Sequence, residues 1–210
     1  MENLFKIRLS CFEPASEQES EKQPILGRLN GKGVLSYQRF DLKKHGTTLH
    51  KWCNKPYSAK FWDMAGSYEQ FMAYYQQRMM VPGVQHTMFF LDGKPLAFTE
   101  AYPIIGSELE PHIQQATDLD YGIHFLMAPP RKIAEEFREF KRSISFFTLI
   151  QALGHLFNTA KAVNIYAEPD KENHKACHLA RMAGLTYLRE VVLTDKTAAL
   201  FHINKEDFKC

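Results

Sequence analysis

A histidine stands in the middle of an apolar stretch, DYGIHFLMAPP, which runs from Asp120 to Pro130. An imidazole has an ordinary pKa of about 6.5, so His124 is able to accept a proton from a reacting group near neutral pH. A lone histidine in a buried strand is more often a hydrogen-bonded core residue. The stretch alone therefore makes His124 a candidate general base and leaves the structural interpretation open.

A second group of polar residues occurs further along, in PDKENHKACH. Asp170 and Asn173 precede a predicted helix, and both residue types are favoured as helix N-caps. His174 and His178 are one helical turn apart, which is a spacing found in metal sites. HKACH lacks the glutamate of an HExxH zinc motif, however, and no third ligand is evident. We therefore predict that the protein binds no metal.

The composition is that of an ordinary globular protein. The chain has 210 residues, 45% of them hydrophobic and 24% charged, and its formal net charge is +2. This length suggests one domain, and the balanced charge argues against nucleic acid as a partner. An anionic small molecule remains compatible, because it needs only a local positive patch.

The cysteines and the hydropathy pattern bear on the compartment. The cysteines form no CxxC pair, and such scattered residues indicate reduced thiols in a cytoplasm rather than a disulfide framework. No apolar run approaches the roughly 20 residues needed to cross a bilayer, and the N-terminus lacks the layout of a signal peptide. We expect a cytoplasmic protein without a membrane partner. The four cysteines are Cys11, Cys53, Cys177 and Cys210.

The elements that must position these residues begin with antiparallel strands. Residues 1–33 are predicted to form a strand, LFKIRLSCF, and a mobile polar loop, as part of the same unit as the domain at 34–210. GVLSYQRFDL is a predicted strand, TTLHKWCN a short helix, and a longer helix follows Ser67 as N-cap. The clearest hairpin pairs Gln85–Leu91 with Pro95–Tyr102 around the turn dipeptide Asp92-Gly93.

The second half alternates strands and helices. The strand Tyr121–Met127 precedes a charged segment predicted to be mostly solvated, RKIAEEFREFKR, and then a helix capped by Ser143 or Ser145. The strand AVNIYAEP, a helix closed by Gly184 and two final strands follow. Strand–helix–strand order implies a parallel pair, so the fold class is α/β with a mixed central sheet.

Five segments in this order resemble the GCN5-related N-acetyltransferase (GNAT) family. They are more narrowly similar to its siderophore-biosynthesis branch, the acetyltransferases of aerobactin-type pathways, which acylate an N-hydroxylated lysine or a related amine. The resemblance covers about three quarters of the chain. Its segments are LHKWCNKPYSAKFW (Leu49–Trp62), LDGKPLAFTEAY (Leu91–Tyr102), DYGIHFLMAPP (Asp120–Pro130), AEPDKENHKA (Ala167–Ala176) and MAGLTYLREVVLTDKTAALF (Met182–Phe201).

The resemblance implies an acyl-CoA site where two parallel strands splay apart. The pantetheine arm is expected along the first of these strands, and Pro129 and Pro130 are suited to end its pairing. The pyrophosphate is expected at the N-terminus of the next helix. The usual glycine-containing signature is absent there, so either side chains and a remodelled loop bind the pyrophosphate or the affinity is low. The implied cofactor-binding residues are Phe125, Leu126, Met127, Lys141, Arg142, Ser143, Ser145 and Asn173.

The resemblance also implies the reacting site. His124 and Asp170 would flank the acceptor amine, with His124 as the base and Asp170 as its partner or as the substrate anchor. Trp62, Glu100 and Tyr102 would contact the substrate, although packing is the simpler interpretation for the aromatic pair. Lys196 is a further candidate for cofactor or substrate contact.

The resemblance implies acyl transfer from an acyl-CoA to the nitrogen of an N-hydroxylated diamine or lysine. Acetyl-CoA is the expected acyl donor. Two alternatives stay open. One is acetylation of an ordinary amine, such as a polyamine, an aminoglycoside or a lysine side chain. The other is a degenerate acyltransferase domain that acts as a binding module. The extended N-terminal segment is compatible with a homodimer.

Overall fold

The computed structural model describes residues 12–14, 25–29, 33–140 and 144–208. Over these residues the chain forms one nine-stranded mixed sheet with helices in the connections. The strands follow the order β1-β2-β3-β4-β5-β6-β7-β9-β8. They are β1 (Phe12–Pro14), β2 (Ile25–Leu29), β3 (Gly33–Arg39), β4 (Gln85–Leu91), β5 (Lys94–Pro103), β6 (Asp120–Met127), β7 (Asn164–Ala167), β8 (Thr186–Val192) and β9 (Thr197–Asn204).

Six α-helices occur in the described part of the chain, with 3₁₀ turns at Glu110–His112 and Arg138–Phe140. Several have the caps that their sequences predict. Ser67 forms a capping box with Gln70 at the start of α3, and Gly184 takes a positive φ just beyond α6. The helices are α1 (Leu42–Cys53), α2 (Pro56–Ala59), α3 (Tyr68–Arg78), α4 (Pro130–Glu136), α5 (Ile144–Thr159) and α6 (His174–Met182).

The predicted hairpin is confirmed as β4 and β5. Asp92 and Gly93 both have positive φ, and Phe98 lies opposite Met88 in the antiparallel ladder. β5 then pairs with β6, which brings Glu100 directly opposite His124. The sheet register therefore places a carboxylate beside the candidate histidine.

The predicted parallel pair is also confirmed, and it is short. β6 pairs with β7 only through Asp120, Tyr121 and Gly122, while β7 continues alongside β9. Beyond Gly122 the two parallel strands separate, so one edge of Ile123–Met127 has no strand neighbour in the part of the chain that the structure describes. The fold is thus the α/β arrangement with a splayed parallel pair that the sequence predicts.

The apolar face of α5 holds this region in place. Ten of its side chains are buried, among them Phe147, Ile150 and Leu153, at spacings typical of one helix face. The same buried cluster includes Ile123 of β6 and Ile165 of β7. The crossover helix therefore packs with both strands of the splayed pair.

Three predictions about the connections need correction. The segment predicted as a mobile loop contains β2, because Leu29 is buried and Ile25–Leu29 pairs with β3. The charged segment after β6 contains α4, and Ile133, Phe137 and Phe140 are buried, so it is not simply solvated. Ser145 lies inside α5 and does not cap it.

Some predictions fall outside the described residues. These include most of the first predicted strand, LFKIRLSCF, and three of the predicted pyrophosphate-binding residues, Lys141, Arg142 and Ser143. Of the four cysteines, Cys53 and Cys177 are described, and both are buried free thiols. None of the helices within the described ranges is long and apolar enough to span a bilayer.

Candidate active site

The imidazole of His124 lies between two carboxylates at the point where β6 and β7 separate. Its Nε2 donates a 2.5 Å hydrogen bond to Glu168 Oε1, and its Nδ1 is 3.6 Å from Glu100 Oε1. The His124 side chain is 37% exposed, whereas the two glutamates are almost completely buried at 3–4%. The ring thus forms the accessible surface of a buried charged group.

Glu100 is held from behind by two further side chains. Arg78, at the end of α3, donates from Nε and Nη2 to Oε1 at 3.1 and 2.9 Å. His86, on β4, donates from Nε2 to the other oxygen, Oε2, at 2.8 Å. Both oxygens of this buried carboxylate therefore have partners, as a buried charge requires.

These neighbours determine the charge of His124. Burial by itself lowers the pKa of the imidazole, but the carboxylates of Glu168 and Glu100 outweigh this effect and raise the pKa of His124 to about 9. Burial raises the pKa of both carboxyls, and the hydrogen bonds and nearby positive charges lower it overall. At neutral pH the protein without ligands therefore carries an imidazolium between two carboxylates. The assumption of an ordinary pKa near 6.5 is wrong for this environment.

Two aromatic side chains stand against the His124 ring. Trp62 meets it edge to face at 5.9 Å between ring centroids, and Tyr102 lies at 5.1 Å. Tyr102 reaches this position by lying over Gly122, where an added Cβ would be 2.1 Å from its Cζ. The structure thus brings three predicted substrate-contacting residues, Trp62, Glu100 and Tyr102, around His124.

Glu168 has a second oxygen that is less well satisfied. Oε2 is buried and has no hydrogen-bond partner among the described residues. Lys196, from the turn between β8 and β9, places Nζ 3.9 Å from the other oxygen, Oε1. The lysine that the resemblance singled out therefore lies beside the site.

The carboxylate that bonds the imidazole is that of Glu168, whereas Asp170 has a different hydrogen bond. Its Oδ1 accepts a hydrogen bond from the N–H of Glu172 at 2.8 Å, so the carboxylate closes the turn that follows β7. Orientation of His124 belongs to Glu168 and Glu100 instead. Asn173 caps α6 by accepting from the N–H of Ala176 at 3.2 Å. Substrate or cofactor contacts of Asp170 and Asn173 stay predictions.

The free edge of β6 offers backbone groups for a ligand. The bonds from Ala128 N–H to the Leu96 carbonyl and from Ile104 N–H to the Asp120 carbonyl show that even-numbered residues of β6 face β5. The alternation of an antiparallel ladder turns the N–H and C=O groups of Phe125 and Met127 the other way. Leu126, which was also predicted to bind the cofactor, directs its backbone toward β5.

One side chain already uses this edge. The hydroxyl of Tyr57, on α2, donates a 2.6 Å hydrogen bond to the carbonyl of Met127. Among the described residues, no strand pairs on this side with the N–H and C=O of Phe125 or with the N–H of Met127. An extended amide chain could pair with these three groups as a strand would. This fits the pantetheine arm that was predicted here.

Metal ligands do not gather at the site. Within the described ranges no cluster of three or more His, Cys, Asp or Glu side chains has the arrangement to hold a metal ion. His174 and His178 are exposed on α6.

Three residues of the site were missed from the sequence. Glu168 stands two positions before Asp170, and its part in the quoted AEPD segment was its only signal. Arg78 and His86 come from α3 and β4, and both residues lie outside the recognised segments. The hairpin register could have indicated His86, because it lies directly opposite Glu100.

The comparisons with known proteins agree with this geometry. A family model described as an acetyltransferase (GNAT) domain matches residues 41–193. An N-hydroxyputrescine acetyltransferase of Acinetobacter baumannii is 26% identical over 168 residues, which is 80% of this chain and 76% of that protein.

Solved structures show the same fold. An aminoglycoside acetyltransferase in complex with coenzyme A superposes with a TM-score of 0.71 at 16% identity, over 83% of this chain and 96% of that chain. A spermidine N-acetyltransferase of Vibrio cholerae, in complex with CoA and spermine, has a TM-score of 0.63 at 13% identity, over 83% of this chain and 97% of that chain.

Proposed function

The chain belongs to the GNAT acetyltransferase family and is an acetyl-CoA-dependent N-acetyltransferase, and we propose that its acceptor is an N-hydroxylated amine. The acceptor class is an N-hydroxylated diamine or lysine, and acetylation of its nitrogen gives a hydroxamate. A hydroxamate presents two oxygens to one metal ion and is suited to ferric iron. The proposed role is therefore in siderophore biosynthesis.

The observation that carries the proposal is the position of His124 between Glu168 and Glu100. These carboxylates raise the pKa of His124 to about 9, so the imidazole holds its proton at neutral pH. An ordinary alkylamine is an ammonium at this pH and must lose a proton before it attacks the thioester. The oxygen of a hydroxylamine withdraws electron density, so its nitrogen is largely neutral already. A protonated histidine cannot take a proton from an ammonium, so it suits the N-hydroxylated acceptor better.

The sequence relative supports the same acceptor class. The A. baumannii protein is named for N-hydroxyputrescine, and its similarity extends over most of both chains. At 26% identity this supports the acceptor class and leaves the chain length of the acceptor open.

The site residues then have distinct roles in the transfer. The nitrogen loses one proton as the amide bond forms, and the departing CoA thiolate gains one. The positive charge of His124 lies where it favours negative charge on the thioester oxygen or on the leaving sulfur. Trp62 and Tyr102 exclude water from one side of the ring, while Asp170 remains the proposed anchor for the substrate's far end.

Acetyl-CoA is proposed to bind along the free edge of β6. Phe125 and Met127 supply backbone groups to the pantetheine arm. The pyrophosphate would lie near Ser145, in the first turn of α5. Lys141, Arg142 and Ser143 complete this predicted site from the neighbouring segment.

An ordinary amine is the second candidate acceptor. The observation in its favour is the same pair of carboxylates, because Glu100 and Glu168 give the site negative groups that attract an ammonium. The nitrogen of an ordinary amine must lose a proton before it attacks the thioester, whereas that of a hydroxylamine is largely neutral already. Each hydroxylated amine compared with its parent amine therefore distinguishes the two candidates.

The test measures CoA release from acetyl-CoA with N-hydroxyputrescine beside putrescine and N6-hydroxylysine beside lysine. We expect kcat/KM to be at least about 100-fold higher for the hydroxylated member of one pair, since the parent amine is almost entirely an ammonium at neutral pH and the protonated His124 cannot take its proton. The product should give the ferric hydroxamate colour. Equal or better turnover of the parent amine would refute the proposal and favour the second candidate.

Two variants connect the activity to the site. His124→Gln should lower kcat for the hydroxylated substrate by about 100-fold or more, in the range expected when one group that stabilises transition-state charge is removed. The matched control is His178→Gln, because His178 is exposed on α6 and should leave kcat unchanged.

A further inference from the structure

Three elements of the fold meet at Glu100, the carboxylate that faces His124 from β5. Glu100 comes from β5, His86 from β4 and Arg78 from α3, whereas Glu168 approaches the ring from the end of β7. Nothing in acetyl transfer itself requires the arginine or the second histidine. Their arrangement around one buried carboxylate calls for a separate explanation.

Arg78 and His124 share one oxygen atom. Arg78 donates two hydrogen bonds to Oε1 of Glu100, and the same atom lies 3.6 Å from Nδ1 of His124. This last distance exceeds that of a hydrogen bond, so the imidazole receives the charge of Glu100 without a full bond to it. His86 holds the other oxygen at 2.8 Å and prevents the carboxylate from rotating.

We propose that Arg78 is a positioning residue for the acetyl transfer, which holds Glu100 at a fixed distance from His124 and so limits how strongly the imidazolium is held. His86 would assist by fixing the carboxylate plane. Glu168 binds one nitrogen of the ring firmly, while the restrained Glu100 leaves Nδ1–H available to a ligand. The proposal holds for any acceptor and does not rest on the N-hydroxylated one.

The position of Arg78 connects it to the substrate-facing wall. Its guanidinium lies over the ring of Tyr102 at 5.9 Å, and Tyr102 in turn contacts His124. Arg78 ends α3, and its side chain is 27% exposed. The end of α3 is thus connected to the residues around His124 by the Arg78–Glu100 ion pair and by the contact of Arg78 with the Tyr102 ring.

The charged groups around His124 predict opposite effects for two substitutions. Removing the charge of Glu100 removes attraction for the imidazolium. Removing Arg78 removes a repelling positive charge and frees Oε1 to bond with Nδ1. Within the described part of the chain, the charged or titratable groups that face the ring or its two carboxylates are Tyr74, Tyr75, Arg78, His86, Glu100, Tyr102, Glu168 and Lys196.

The experiment follows the titration of His124 by NMR, with its ring signals assigned by comparison with His124→Gln. We expect Glu100→Gln to lower the midpoint by about one unit or more, as loss of an opposite charge at this distance does. Arg78→Met should raise the midpoint, and the charge-conserving Arg78→Lys should restore most of the wild-type value. The kcat–pH profile with a turned-over acceptor should shift in the same directions.

The matched control is Arg131→Met, since Arg131 is exposed and its ion pair is with Glu135, one turn along the same helix. An unchanged or lowered midpoint in Arg78→Met would overturn the proposal. An unchanged midpoint in Glu100→Gln would also overturn it, because Glu100 would then have no influence on the ring. The NMR titration needs no substrate, so these outcomes are independent of which acceptor the enzyme uses.

Discussion

The bond between His124 and Glu168 predicts how the stability of the protein depends on pH. An unfolded chain has a histidine pKa of about 6.5, whereas in the fold the pKa of His124 is raised to about 9. The folded protein therefore binds this proton more tightly than the unfolded chain. The stabilisation is fully present below pH 6.5 and is lost as the pH rises through 9.

The size of the effect follows from the shift. Each pKa unit corresponds to about 1.36 kcal/mol, which for this shift gives an upper bound of about 3 kcal/mol. The His124 side chain is 37% exposed, and solvent screening at such a group reduces the expected value to about 1–2 kcal/mol. In Glu168→Gln most of this pH dependence should disappear, because the charged partner at 2.5 Å is gone.

The assay is urea unfolding at pH 6.5, 7.5, 8.5 and 9.5, followed by circular dichroism. The free energy of unfolding of the wild type should fall by about 1–2 kcal/mol more than that of Glu168→Gln over this range. Glu190→Gln is the control, since Glu190 forms only a half-exposed pair with Lys171 and should behave as the wild type does. Identical pH dependence in wild type and Glu168→Gln would refute the reasoning.

Two further predictions concern Gly122 and the cofactor. Gly122→Ala places a methyl group 2.1 Å from Tyr102 Cζ, so we expect a loss of about 1–3 kcal/mol in urea unfolding and reduced kcat as Tyr102 moves from His124. The control is Gly154→Ala, because the added Cβ would meet Phe208 Cε1 at an ordinary 3.4 Å, so the protein should not lose stability. Equal losses of unfolding free energy in both variants would contradict this reasoning. Acetyl-CoA at 100 times its Kd should add about 2.7 kcal/mol of stability, measured as a rise in melting temperature. No rise at any concentration would mean that the altered pyrophosphate segment no longer supports binding.

The secondary structure was largely predictable because its signals are local. The Asp92-Gly93 turn, the Ser67 capping box and the apolar face of α5 each depend on a few neighbouring residues. The short strand β2 was missed, since its partner strand and the burial of Leu29 supply what its own sequence lacks. Local polarity likewise concealed α4, whose buried residues are Ile133 and, just beyond it, Phe137.

The site was only half predictable. His124 could be singled out because an imidazole inside an apolar strand is unusual, and Glu100 and Tyr102 because they end a strand near the expected cleft. The choice between Glu168 and Asp170 could not be made, since both lie in one short segment that leaves a strand. The turn after β7 distinguishes the two carboxylates. Asp170 accepts a hydrogen bond from the N–H of Glu172, whereas Glu168 accepts one from the imidazole of His124.

The sequence by itself determined the α/β class and the parallel strand–helix–strand unit, because periodicity, turns and caps act within a few residues, and it singled out His124 as the candidate for the centre of the site. Only the tertiary structure decided the charge of that residue. Arg78, His86 and Glu168 are far from His124 in the chain. Sheet order and the packing of α3 bring Glu168 onto the imidazole, and Arg78 and His86 onto Glu100, the carboxylate beside it. The state of a proton depends on every charge within a few ångströms, whichever element carries it.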